Sequence, residues 1–313
     1  MAIFFNITTL PAFKNAVVTI GTFDGVHLGH RCILQEVVSQ AKTINGESVL
    51  ITFDPHPRKL IFPDQELKLL TPLPTKLELV TDAGIDHVVV VPFTRDFANL
   101  SAEDYISQFL VQYFKPHTII IGHDHQFGHD RKGGIDLLQQ LSKQYDYQVV
   151  EIPAQLIDEA AVSSTKIRKA ITAGHVQDAA HMLGRYYTLT GKVIKGRQLG
   201  RTIGYPTANI TPNDPAQVVP AIGIYAVTVQ VASGTFNGML SIGYNPTVTD
   251  EQKINIEVNI FDFDQDIYGQ ELELSFVTYL RNEEKFASLE ALKEQLAKDK
   301  ENTLAILKIA QVL

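Results

Sequence analysis

Two histidines at the lip of a glycine-rich turn carry the clearest chemistry in this chain. The stretch Gly21-Thr22-Phe23-Asp24-Gly25-Val26-His27-Leu28-Gly29-His30 follows an apolar run, Ala16-Val17-Val18-Thr19-Ile20, and precedes an amphipathic one over residues 33–41. The first run reads as a buried strand and the second as a helix. Glycines let backbone N–H groups approach anionic oxygens, and a helix N-terminus favours negative charge. Two imidazoles add hydrogen bonds for charge that builds up on a phosphorus centre. The turn therefore predicts polyphosphate chemistry. It is not a Walker loop, because no Gly-Lys-Ser/Thr follows, and its glycine spacing is not the dinucleotide fingerprint. The plainer reading of the same residues is a strand–helix turn with solvated histidines.

Two further segments have the composition of anion sites. In Val162-Ser163-Ser164-Thr165-Lys166-Ile167-Arg168, three successive hydroxyls suit a helix start and two cations share the same turn. Capping alone would need one hydroxyl. Residues 191–209, Gly-Lys-Val-Ile-Lys-Gly-Arg-Gln-Leu-Gly-Arg-Thr-Ile-Gly-Tyr-Pro-Thr-Ala-Asn, read as a mobile anion-binding loop on a β scaffold. His123, His125 and His129 with Asp124 leave open a metal-dependent phosphoesterase as a rival. Asp262, Asp264 and Asp266 mimic a calcium loop, but Ile267 stands where its sharp turn needs glycine, so a hairpin over 266–269 is expected.

The elements around these segments change character midway. Candidate strands at 17–20, 48–53, 87–91, 118–121 and 147–152 alternate with candidate helices at 29–43, 75–83, 102–113 and 134–144. That alternation predicts a mostly parallel sheet covered on both faces, with ligands beyond the carboxyl ends of its strands. Helices over 164–173 and 176–183 follow, separated by Gly174. Beyond Gly184 the period becomes two, with strands at 187–194, 223–231, 235–242, 253–261 and 271–279, which predicts an antiparallel sandwich or barrel. A helix over 288–310 closes the chain. The expected domains are 1–184 and 185–313.

Composition sets the frame. The chain has 313 residues and a net charge of −8 from 27 basic and 35 acidic residues, which argues against a nucleic-acid partner. The cations cluster locally instead, at Lys192, Lys195, Arg197 and Arg201 and at Lys166, Arg168 and Lys169. Cys32 is the single cysteine, and residues 1–10 lack the pattern of a signal peptide. No membrane association is expected, and a cytoplasmic location is. Nothing sets the oligomeric state.

His-x-Gly-His at 27–30 together with Ser-Ser-Thr-x-Ile-Arg at 163–168 resembles the nucleotidyltransferase superfamily, and in detail the bacterial bifunctional riboflavin kinase/FAD synthetase family. Thr52-Phe53-Asp54-Pro55-His56-Pro57, residues 122–128, 241–247 and 280–286, and the ending Pro206-Thr207-Ala208-Asn209 extend the resemblance over essentially the whole chain. His125 departs from the family's phenylalanine. The resemblance implies a Rossmann-like nucleotidyltransferase domain followed by a riboflavin kinase-like β-barrel. It implies that riboflavin is phosphorylated by ATP to FMN, and that FMN is adenylylated by ATP to FAD and pyrophosphate. Gly21, Phe23, Asp24, Gly29, Asp124, Ser163, Ser164, Thr165 and Arg168 would then bind ATP phosphates or nucleotide around catalytic His27 and His30. Lys195, Gly196, Gly200, Arg201, Gly204, Pro206 and Arg281 would contact ATP or flavin in the kinase. Thr207 and Asn209 would hold Mg²⁺, and Glu257 would be the base. The alternatives are another adenylyl- or cytidylyltransferase with an unrelated β domain, or a non-catalytic flavin-binding regulatory protein.

Overall fold

The computed structural model describes residues 2–123, 125–153, 162–196, 198–244 and 254–310. Asp124, Arg197 and residues 245–247, all singled out above, lie outside the described residues. The chain divides into two compact units, Met1–Ser164 and Thr165–Leu313.

The first unit is a six-stranded parallel sheet. Its strands are β1 (Ala2–Phe4), β2 (Val17–Ile20), β3 (Ser48–Asp54), β4 (His87–Pro92), β5 (Thr118–Gly122) and β6 (Gln148–Ile152), in the order β1-β4-β3-β2-β5-β6. Alternate strand residues serve opposite faces. Val18, Ile20, Ile51, Val89 and Ile119 pack with Ile106, Phe109 and Leu138. Val17, Leu50, Val88, Val90 and Ile120 pack with Leu34, Val37 and Val80 on the other side. The helices that supply these partners are α1 (Leu28–Thr43), α2 (Leu73–Asp82), a π-helix (Tyr105–Phe114) and α3 (Ile135–Tyr145). The strand order reverses between β2 and β5, which are paired neighbours. In open α/β sheets the ligand crevice lies at that reversal, beyond the carboxyl ends of the strands. The turns after β2 and β5 flank it.

The second unit begins with α4 (Ser164–Thr172) and α5 (Val176–Leu183). The sequence reading counts both helices with the first domain. However, α5 packs against β7 (Tyr187–Ile194) and β12 (Glu271–Arg281), so the compact units divide after Ser164. Strands β7, β8 (Ala208–Pro212), β9 (Gly223–Val231), β10 (Gly234–Tyr244), β11 (Ile254–Ile260) and β12 close into a barrel in the order β10-β11-β8-β7-β12-β9, every pairing antiparallel. A final helix, α6 (Leu289–Ala310), lays Leu307 against Ala226 and Val277. At 266–269 there is a turn but not the expected hairpin, because the strands on either side of it, β11 and β12, pair with other strands and not with each other. The Asp266 carboxylate accepts from the Tyr268 N–H at 3.0 Å, and Gly269 takes a φ of +77°.

Candidate functional site

The turn after β2 is tightly wound. Phe23, Gly25 and Val26 have φ values of 47°, 88° and 38°, all left-handed. His27 ends the turn as the N-cap of α1, its Nδ1 accepting from the His30 N–H at 3.3 Å. In the neutral ring this places the proton on Nε2, so Nε2–H is a donor. The imidazoles of His27 and His30 stack with centroids 3.6 Å apart and 15° between planes, and the Phe23 ring lies 4.9 Å from His30. Gly21 has to be small here, because a Cβ would press on the Phe23 ring, and Gly29 is buried one residue inside α1. His27 is 6% exposed. Burial, then the neighbouring His27 and then Lys76, hold His30 well below the usual histidine range, so its ring is neutral near pH 7. The buried His30 Nδ1 makes no hydrogen bond.

Asp24 is buried and bonded to the backbone of a distant segment. Its carboxylate, 3% exposed, accepts from the backbone N–H groups of Leu70 (3.0 and 3.1 Å) and Thr71 (3.0 Å). The Thr71 hydroxyl in turn accepts from the Gly25 N–H at 3.0 Å. A carboxylate that accepts from backbone donors fixes the turn. Ser164 of the Ser-Ser-Thr motif joins the same turn, its hydroxyl donating to the Asp24 carbonyl at 2.9 Å. Ser163 is half-buried just before α4, while Thr165 and Arg168 lie on that helix.

One residue of this site is absent from the sequence reading. Lys76 of α2 is only 7% exposed, and its ammonium donates to the Thr22 carbonyl at 3.2 Å and to the Thr52 hydroxyl at 3.0 Å. Burial lowers its pKa against the raising influence of Asp24 and Asp54.

The second site forms where β8 meets β11. Asn209 and Glu257 are register partners, so their side chains share one face. Glu257 is held at both oxygens: Thr207 Oγ1 donates to Oε2 at 3.0 Å and Asn255 Nδ2 to Oε1 at 2.6 Å. The glycine loop closes over this face. A Cβ on Gly196 would overlap the Asn209 amide, and one on Gly200 would overlap the Tyr205 carbonyl and reach Thr207 Oγ1 at 3.5 Å. Gly204 turns the loop with a φ of +87°, and the Pro206 carbonyl accepts from Asn259 Nδ2 at 2.6 Å. Lys195 lies 6.0 Å over the Tyr268 ring, and Gln198 donates to the Tyr268 hydroxyl at 3.0 Å. Arg201 is exposed on the loop. The sequence-selected residues Gly196, Gly200, Thr207, Asn209 and Glu257 are thus brought together.

Arg281 is not. Its Nη2 and Nε donate to Asp299 of α6 at 2.7–3.1 Å, and its Nη1 to the Asn282 carbonyl at 2.9 Å. With Asp299 almost fully buried, this bidentate pair ties β12 to α6.

Both halves of the chain match families. Residues 10–166 match the FAD synthetase family and residues 183–307 the riboflavin kinase family. A bifunctional riboflavin kinase/FMN adenylyltransferase of Listeria monocytogenes is 41% identical over 93% of this chain and 92% of its own length. The protein of that name from Escherichia coli K12 is 35% identical, covering 94% and 93%. A crystal structure described as a macrolide-efflux protein from Streptococcus pneumoniae aligns with a TM-score of 0.85 and 31% identity, over 96% of this chain and 97% of that one. Among the described residues, no helix is long and apolar enough to cross a membrane.

Proposed function

The chain belongs to the bifunctional riboflavin kinase/FMN adenylyltransferase family, and we propose that its two ATP reactions run at the two sites just described. Phosphorylation is assigned to residues 185–313 and adenylyl transfer to residues 1–184. The observation that carries the reading is the pairing of a stacked His27–His30 lip at the sheet's strand-order reversal with a Thr207–Asn209–Glu257 oxygen cluster on a barrel.

In the kinase, Glu257 accepts the proton of the riboflavin 5′-hydroxyl as its oxygen bonds to the γ-phosphorus of ATP and ADP leaves. The two donors on Glu257 fix its geometry, and a loose phosphoryl-transfer transition state needs no strong base beforehand. Thr207 and Asn209 are the proposed magnesium ligands. A hydroxyl, an amide oxygen and a nearby carboxylate are hard oxygen donors, and the missing side chain at Gly196 leaves room at the amide. When bound, the ion would neutralise charge on the ATP phosphates.

In the first unit, an FMN phosphate oxygen bonds to the α-phosphorus of ATP as the bond to pyrophosphate breaks. His27 offers Nε2–H to the charge on the five-coordinate phosphorus, and His30 acts beside it. Ser163 is a proposed nucleotide contact. Neither step needs a covalent enzyme intermediate. The cytoplasm, where ATP is available, is the proposed location.

The test is direct: purified protein, riboflavin and Mg-ATP, with flavins separated by chromatography. FMN followed by FAD supports the reading. Neither product would sink it, and FMN alone would leave only the kinase half.

A further inference from the structure

We propose that Lys76 is a positioning residue for adenylyl transfer, acting through the Thr22 carbonyl that opens the turn and through the positive charge it sets within reach of His30. The inference rests on the adenylyltransferase reading of the first unit.

A lysine with 7% exposure is unusual, because a charged ammonium is rarely fully buried without a charged partner. Here neither hydrogen-bond acceptor carries a charge. One is the Thr22 carbonyl, which also accepts from the fully buried Thr52 hydroxyl at 3.3 Å, and the other is that hydroxyl itself. The ammonium thus pins the end of β3 to the first residues of the turn. One residue further on, at Phe23, the turn enters left-handed backbone, which recurs at Gly25 and Val26 before His27. An anchor at Thr22 fixes where that strained segment starts, and so where both imidazoles lie.

The charge has a second consequence. His30 feels His27 from its own turn and Lys76 from α2, while the carboxylates of Asp24 and Asp54 act on Lys76. The Lys76 charge opposes a proton on His30, as would a proton on His27. A neutral His30 stacked on His27 keeps a free ring nitrogen in the free enzyme and avoids two imidazolium ions 3.6 Å apart. Bound polyphosphate then supplies the negative field that brings the protonated form within range. A lysine serving only as packing would set the turn but would not set this titration.

The experiment compares the full-length protein with Lys76→Met and Lys76→Arg. FAD formation from added FMN and ATP is measured beside FMN formation from riboflavin, and the His30 titration is followed by NMR of labelled imidazoles, assigned with His30→Gln. Lys76→Met should lower FAD formation roughly tenfold or more, chiefly in kcat, with FMN formation unchanged. Its His30 midpoint should move to higher pH, and Lys76→Arg should keep that midpoint low. FAD formation within twofold of the parent overturns the proposal. So does a loss of FAD formation with the His30 midpoint unmoved, which would leave a scaffold role alone. If Lys76→Met does not fold, Thr52→Val, which removes one acceptor and leaves the charge, should lower kcat for FAD several-fold, and an unchanged kcat overturns the proposal. A parent protein that makes no FAD would instead refute the adenylyltransferase reading itself.

Discussion

The imidazoles of His27 and His30 lie face to face, 3.6 Å between centroids, with the His27 Nδ1 taken up by the His30 backbone N–H. In the neutral ring that bond places the His27 proton on Nε2. Replacing both rings with alanine should abolish FAD formation while FMN formation continues, because Glu257 and its partners lie in the other unit. Chromatography of the flavin products checks this. Loss of FMN formation in the folded variant would contradict separate sites.

The depressed His30 also makes a stability prediction. A histidine whose folded pKa lies below its unfolded value, about 6.5, binds fewer protons folded than unfolded in the window between the two values. Stability of the first unit should therefore fall as pH drops from about 6.5 towards the folded value, then level off. Denaturant melts between pH 7 and 5 should show a shallower fall in His30→Gln. An identical fall would remove His30 as a source of that acid sensitivity.

Asp24 should matter for stability more than for binding charge. Asp24→Ala leaves the buried N–H groups of Leu70 and Thr71 without their acceptor, which costs about 2–6 kcal/mol at roughly 1–3 kcal/mol for each orphaned donor. The denaturant midpoint of the first unit reads this loss. Asp24→Asn, which keeps one accepting oxygen, should lose less.

Gly196→Ala puts a methyl group where the Asn209 amide lies. Riboflavin phosphorylation should fall sharply, with conversion of added FMN to FAD intact. A variant with normal kinase activity would show that the loop's close approach to Asn209 has no part in the reaction.

Legibility from sequence followed the range of the forces involved. Strand β2, its turn and α1 were readable because a uniform apolar run, a glycine pattern and a helical period succeed one another within about 30 residues. The edge strand Ala2–Phe4 is too short for any period to show. Strand β8 was hidden because Ala208–Pro212 emerges directly from the glycine loop, and its pairing with β7 and β11 comes from distant chain. Lys76 gave no signal: a lysine in an amphipathic helix reads as solvated, and only the packing of α2 under the turn buries it. The protein partners of Asp24 and Arg281 were not legible, because Leu70 and Thr71 in one case and Asp299 in the other lie 18 to 47 residues away.

The central claim is that one chain carries two independent ATP reactions, and a crossed pair of variants tests it most directly. His27→Ala with His30→Ala and, separately, Glu257→Ala are each supplied with Mg-ATP and either riboflavin or FMN. The account predicts FMN but no FAD from the histidine variant, and FAD from FMN but nothing from riboflavin in the Glu257 variant. Loss of both activities in either folded variant, or normal riboflavin phosphorylation by Glu257→Ala, would contradict it.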